Sequence, residues 1–207
     1  VLNKPKSITK TSPISKTIVK TKITTGSTDK TLILDIPNPK IKQIIKNSNH
    51  PTGNVNITYA VWVKPERKIL HGVGMPAMSV IDVGCCSNNA RSALLFHSGH
   101  YGANVHYIAN GNDVRLEPRL IYNIWTHITL TKNRDQLYVY INGDYAGQNI
   151  IRSGQNVFET DIYIGNSPQG RELYKGEIKG LKIWNRVLTN NEILAEYTNT
   201  TELIANL

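Results

Sequence analysis

Short runs of alternating apolar and polar residues fill most of the chain, and clusters of Gly, Asn and Pro break them apart. Thr31–Ile36 is the first such run and stops at Pro37 and Pro39. Val55–Val63 alternates cleanly before Lys64-Pro65. Met78–Val83, Ala93–His97, Asn104–Ala109 and Val114–Leu116 follow, then Thr126–Thr131, Leu137–Ile141, Tyr145–Ile150, Asp161–Ile164 and Gly176–Ile183. A period of two, in runs rich in Val, Ile, Thr and Tyr, predicts β-strands with one face toward a core. Asn142-Gly143 lies between two of these runs and predicts a tight hairpin, because Asn-Gly accommodates two consecutive positive φ angles. Ile41–Lys46 has helix-like spacing but is short, and it leads into the turn-rich stretch Asn47–Asn54.

One helix is expected, near the end. Thr189-Asn190-Asn191-Glu192 reads as a capping box, with the Thr hydroxyl and Glu carboxylate satisfying amides that the first helical turn leaves unpaired. Ile193, Leu194 and Tyr197 then form an apolar stripe. Many short strands with a single short helix predict an all-β antiparallel sandwich or jelly roll. The 207 residues suit one such domain with some extra length. The hydrophobic content of 40% against 19% charged residues is enough for a sizeable core.

The extra length is at the start. Residues 1–28 are dominated by Ser, Thr, Lys and Pro, and Pro5 and Pro13 rule out a continuous helix. We therefore divide the chain into a basic arm or linker, 1–28, and a folded domain, 29–207. The β-branched stretch Thr17–Thr24 suggests an added edge strand, or an anchoring segment that pairs with an assembly partner. Charge supports the division. Ten lysines oppose only Asp29 and Asp35 within residues 1–50, so +8 of the net +9 lies there. The arm has neither Arg nor interleaved aromatics and the domain is nearly neutral, which makes nucleic acid an unpromising partner.

Cys85 and Cys86 are adjacent, and a disulfide between neighbours would close a strained ring, so two free thiols are expected. The longest apolar run, around Tyr59–Val63, is strand-sized, and no membrane span is expected. The chain starts at Val1 with no initiator Met and no charged-then-apolar leader, which suggests a processed product or a fragment. Two sequons, at Asn56 and Asn199, would carry glycans in a secreted protein, Asn199 being the better placed.

Three segments resemble the laminin G-like, concanavalin A-like jelly roll, an architecture shared with pentraxins and legume lectins. Ile57–Pro65, I-T-Y-A-V-W-V-K-P, is similar to the family's strand that carries Trp between two apolar residues. Trp125–Gly147 is similar to its Trp-x-His strand, turn and Asn-Gly hairpin. Ile162–Asn166, followed by Tyr174–Leu194, resembles the closing strand and capped helix. The resemblance implies a concanavalin A-like β-sandwich with one short C-terminal helix over residues of roughly 30 to 200. Trp62 and Trp125 are expected as core rings; Trp184 suits either the core or an exposed face.

Related glycoside hydrolases place carboxylates at Glu-x-Asp-x-(x)-Glu on one strand, and this chain has no such spacing. Ser98-Gly99-His100 has no nucleophile-elbow context. The resemblance therefore implies a non-enzymatic recognition module that binds glycan or a protein surface. A structural or decorating subunit of a virion or cell-surface layer, anchored by the arm, is the alternative, and either would act at a cell or particle surface. The expected ligand-binding residues are Asn88, Asn89, His100, Tyr101, Tyr107, Asn110, Asn112 and Asp113, where amides and aromatic rings suit sugar hydroxyls and faces. Relatives bind calcium at the sandwich rim, and the expected ligands here are Asp82, Asn110, Asn112 and Asp113. Pentraxins draw acidic ligands from the loop after the strand matched to Ile162–Gly165, whereas this chain has Asn166-Ser167-Pro168-Gln169 there. Strand alternation also allows His97 and His106 to share a groove as a polar or metal-touching patch, although a satisfied or solvent-facing histidine is the commoner outcome.

Overall fold

The structure is a computed structural model that describes residues 20–23, 32–69, 76–84, 90–109, 111, 113–152, 154–158 and 160–201. Its thirteen strands are β1 Lys20–Ile23, β2 Leu32–Ile36, β3 Gln43–Ile45, β4 Ile57–Pro65, β5 Ala77–Val83, β6 Ser92–Ser98 and β7 Ala103–Ile108. They continue with β8 Val114–Leu120, β9 Thr126–Asn133, β10 Gln136–Ile141, β11 Asp144–Ile150, β12 Ile162–Ile164 and β13 Gly176–Trp184. The one helix, α1, spans Asn190–Thr200. Seven strands form one sheet in the order β1-β2-β13-β4-β9-β10-β11, and six form the other as β3-β12-β5-β6-β7-β8. Every pairing is antiparallel, and the two sheets make the expected concanavalin A-like jelly roll.

The alternation read from the sequence places the core. Tyr59, Val61 and Val63 of β4 meet Met78, Val80 and Ile81 of β5 and Leu94 and Phe96 of β6 between the sheets. The other face of β4 is also buried. Ala60 packs with Tyr140, Trp184, Leu188 and Ile193, so α1 covers the outside of the seven-stranded sheet. Trp62 lies there too and donates from its indole nitrogen to the Thr200 hydroxyl at 3.0 Å. The capping box forms as expected, with Thr189 accepting from the Glu192 amide. Asn142 and Gly143 both take positive φ, 53° and 86°, and turn β10 into β11. Pro118 sits within β8, where it is tolerated because β8 is an edge strand of its sheet.

Two local patterns resolve differently in the fold. Ile41–Lys46 is not helical: its middle, β3, is an edge strand paired to β12, so sheet pairing overrides the local spacing. Trp125 is half-buried instead of core, with Lys64 and Lys179 over its ring at 5.9 and 5.4 Å. Trp184, by contrast, is buried in the layer beneath α1. Within Thr17–Thr24, residues 20–23 form β1 and pair with β2, adding the outermost strand of the seven-stranded sheet. Cys85 and Cys86 lie outside the described residues. No helix among the described residues is long and apolar enough to cross a membrane.

A candidate binding face on the six-stranded sheet

Strand alternation sorts the residues of β6, β7 and β8 between two environments. Leu94, Phe96, Val105, Tyr107, Leu116 and Leu120 enter the core. On the opposite face, Ala93, Leu95 and Ile108 pack into a small apolar floor with Ala77 at its margin. His97 and His106 stand on this floor. Their rings stack with centroids 4.2 Å apart and planes inclined by 28°. Burial lowers the His97 pKa, against the fields of Glu172 and Asp113. Burial also lowers that of His106, to about 4, assisted by His97 and Arg115. Both imidazoles are therefore neutral at pH 7, each with one donor and one acceptor nitrogen, which suits hydroxyl partners.

On one side of the pair lies an ionic cluster. Arg91 Nε donates to both oxygens of Asp82 at 2.9 and 3.1 Å, and its terminal nitrogens reach Asp82 and Glu172. Ser79 adds a hydroxyl to Asp82 at 3.3 Å. Burial raises the Asp82 carboxyl to about 6, while the bonds and charge of Arg91 pull it down, so it is ionised and paired at neutral pH. The Arg91 carbonyl accepts from Gln155, the end of a buried chain through the core: Gln155 accepts from Tyr107, which bonds Ser92, then Tyr59, then His50. The cluster is thus held from below as well as across the sheet.

On the other side the face opens into a rim cleft of about 460 Å³ where β8 and β11 converge. Asp113 and Arg115 line it from the six-stranded sheet; Asn149, Ile150 and Arg152 line it from the seven-stranded one. Asn149 ties the two walls together, since its amide donates to the Arg115 carbonyl at 2.9 Å and its oxygen accepts from the Ile150 amide at 2.8 Å. Buried Ile151, whose amide bonds the Asp135 carbonyl at 2.8 Å, anchors the chain just before Arg152. Arg115 pairs in register with His106 and also lines the cleft, so the stacked histidines and the cleft are continuous.

The residues singled out from sequence do not form one constellation. Asp113 is in the cleft. Tyr107 is wholly buried, its hydroxyl bound to Ser92 and Gln155, and it belongs to the core instead of a sugar platform. His100 and Tyr101 lie in the β6–β7 turn at the far end of β7, about 20 Å of strand from the β7–β8 turn. There Tyr101 is 80% exposed and meets the His100 ring edge-on at 4.6 Å, while His100 Nδ1 lies 3.0 Å from Arg67. Asn88, Asn89, Asn110 and Asn112 lie outside the described residues. Asp82 cannot join Asp113 around a cation: β6 and β7 separate their strands by about 14 Å, and Arg91 occupies both of its oxygens. A hard divalent ion wants several oxygen donors converging, and among the described residues no group of three or more His, Cys, Asp or Glu does so.

The expected sharing of one groove by His97 and His106 is what the structure shows. Arg91, Arg115, Asn149, Arg152 and Glu172 were not anticipated. For Arg115 a signal existed: V-R-L-E-P-R-L places Arg115, Glu117 and Arg119 on the solvent face of β8. Asn149 and Arg152 meet Arg115 only across the gap between sheets, which no local pattern reveals.

Residues 42–194 match the model of a family described as the concanavalin A-like lectin/glucanases superfamily. Among solved structures, the chain is similar to domain 4 of AbnA, a GH43 extracellular arabinanase from Geobacillus stearothermophilus, in complex with arabinotriose. Identity is 15% and the TM-score 0.55, over 87% of this chain and 81% of that one. A native heptameric SAP-like pentraxin from Limulus polyphemus gives 16% identity and a TM-score of 0.59, over 76% of each chain. The botulinum neurotoxin serotype D ligand binding domain in complex with N-acetylneuraminic acid gives 18% and 0.55, over 81% of this chain and 42% of that one. At these identities the likeness is one of fold. No curated protein matches the chain.

Proposed function

Because the chain belongs to the concanavalin A-like lectin/glucanases superfamily, we propose that it is a non-enzymatic recognition module that binds glycan on the outer face of its six-stranded sheet and in the adjoining rim cleft. The observation that carries this reading is the stacked pair His97 and His106, set on an apolar floor and opening into a polar cleft. Sugars offer apolar ring faces and a fringe of hydroxyls, and a small apolar floor with neutral imidazoles and amides at its edge complements both. Two structurally similar proteins hold arabinotriose and N-acetylneuraminic acid, which agrees with such a role.

The non-catalytic part of the reading rests on the carboxylates. No Glu-x-Asp-x-(x)-Glu spacing occurs, and Asp82 and Glu172, the two acidic groups beside the histidines, are both engaged by Arg91. The test is a glycan array probed with the purified chain in calcium and again in chelator. Saturable binding that fails in His97→Ala and His106→Ala variants supports the reading, and a blank array in both buffers defeats it. Survival or loss in chelator decides the calcium dependence.

A second reading, an assembly subunit anchored by its arm, is favoured by β1. This strand pairs with β2 and is the last of its sheet among the described residues, an edge position that suits addition of a further strand. Deleting residues 1–28 separates the readings: a glycan module keeps its ligand, whereas an assembly subunit loses incorporation.

A further inference from the structure

The rim cleft has a charge character that glycan binding as such does not require. Arg115 enters from β8 and Arg152 from the segment after β11, so two guanidinium groups approach one cleft from two different sheets. Both residues are exposed, and among the described residues neither is held in an ion pair. Of the other arginines, Arg91 pairs with Asp82 and Glu172, and Arg186 with Glu192. Among the described residues that line the cleft, Asp113 is the one carboxylate, so their summed charge is positive.

Resting on the glycan reading above, we propose that the cleft selects an acidic saccharide, a sugar bearing a carboxylate, which Arg115 and Arg152 clamp from opposite walls. The planar guanidinium presents paired N–H donors at the spacing of carboxylate oxygens, and a clamp of two such groups neutralises the charge and fixes its orientation. Asn149 holds the β8 wall through the Arg115 carbonyl, and buried Ile151 fixes the backbone just before Arg152, so the two walls that carry the clamp are held in place. The cleft volume of about 460 Å³ suits a small saccharide rather than an extended protein segment.

The experiment compares three probes on the full chain by calorimetry: a sialylated oligosaccharide, the same compound with its carboxylate methyl-esterified, and its desialylated core. Uronate and sulfated oligosaccharides on an array extend the set. The expected result is binding of the carboxylated probes, loss on esterification, and weakening as salt is raised. Arg152→Ala and Arg115→Ala should each lower affinity by about tenfold or more, and Arg152→Lys should recover only part of it. Both positions are exposed, so the variants are expected to fold, and thermal melting checks this. Equal affinity for the esterified probe, preference for sulfated sugars alone, or unchanged binding in the Arg115→Ala/Arg152→Ala double variant would each overturn the clamp. Binding of neutral glycans only would overturn it and leave the glycan reading intact. No binding to any glycan would remove both.

Discussion

His97 and His106 stack at 4.2 Å on adjacent strands, with Arg115 paired in register to His106. Two imidazoles this close are stable together only while they are not both protonated. The electrostatic surroundings agree, since burial and the Arg115 charge hold His106 down at about 4. Removing that charge should let it rise. In an Arg115→Ala variant, the His106 pKa followed by NMR should move up from about 4 by a part of the shift only, since burial and His97 are the larger causes. An unchanged titration would mean that burial and His97 set it without Arg115.

Acid should weaken the fold above the pH at which ordinary carboxylates are protonated, Asp82, raised to about 6, being set apart from these. His50, His106 and His127 are each held near 4 in the folded protein, burial being the largest cause, whereas the unfolded chain protonates them near 6.5. A depressed histidine pKa means that the unfolded state takes up protons first as pH falls. Their contribution to stability is complete above about 6.5 and is lost as pH falls through about 4. Urea midpoints measured at pH 7, 5.5 and 4.5 should decline steadily. A flat profile would show that these histidines are solvated.

Asp82 is buried and Arg91 nearly so, and removing one partner strands the other. Asp82→Ala should cost stability near the lower end of the about 3–5 kcal/mol seen for broken buried pairs, because Glu172 remains as a second partner. Denaturant unfolding of the variant checks this. A loss below about 1 kcal/mol would place the pair among ordinary surface ion pairs.

Thr200 holds α1 to the sheet through the Trp62 indole, and both side chains are buried. Thr200→Val keeps the shape and leaves the indole N–H unpaired, at a cost of about 1–3 kcal/mol. Tryptophan fluorescence should report the loosened contact. The opposite sign is expected one layer away. The Thr129 hydroxyl is buried without a hydrogen-bond partner among the described residues, so Thr129→Val should raise stability by about 1 kcal/mol. A loss instead would show that the hydroxyl is satisfied by bound water.

Gly143 sits at φ 86° in the β10–β11 turn, and a Cβ there would lie 3.1 Å from Leu194 and 3.2 Å from Tyr197. Gly143→Ala should therefore cost about 1–2 kcal/mol for the backbone alone, and more if α1 cannot yield. Comparing melting of Gly143→Ala with that of Gly143→Ala/Leu194→Ala separates the two effects.

Much of this architecture was written locally. Alternation placed most of the strands and allowed His97 and His106 to share a face, because pleating sends neighbouring side chains to opposite faces whatever the rest of the chain does. Asn142-Gly143 and Thr189–Glu192 specified the hairpin and the helix start through backbone chemistry confined to a few residues. Sequence reading failed where the deciding contact was distant. Trp125 looked like a core ring, yet its place at the sheet margin under Lys64 and Lys179 depends on how three separate segments meet. Tyr107 looked like a rim aromatic, yet strand register turns it inward to Ser92 and Gln155.

The candidate site divides in the same way. The sequence by itself determined that His97, His106 and Arg115 face away from the core, since each is set by the two-residue repeat of its own strand. Only the tertiary structure decided that Asp82 is spent on Arg91 and that Arg115 faces Arg152 across a cleft. Arg91 meets Asp82 across the β5–β6 pair and Glu172 from 81 residues away, and Arg115 and Arg152 line one cleft from different sheets. Such meetings depend on sheet order and closure, which are settled by packing the whole core at once.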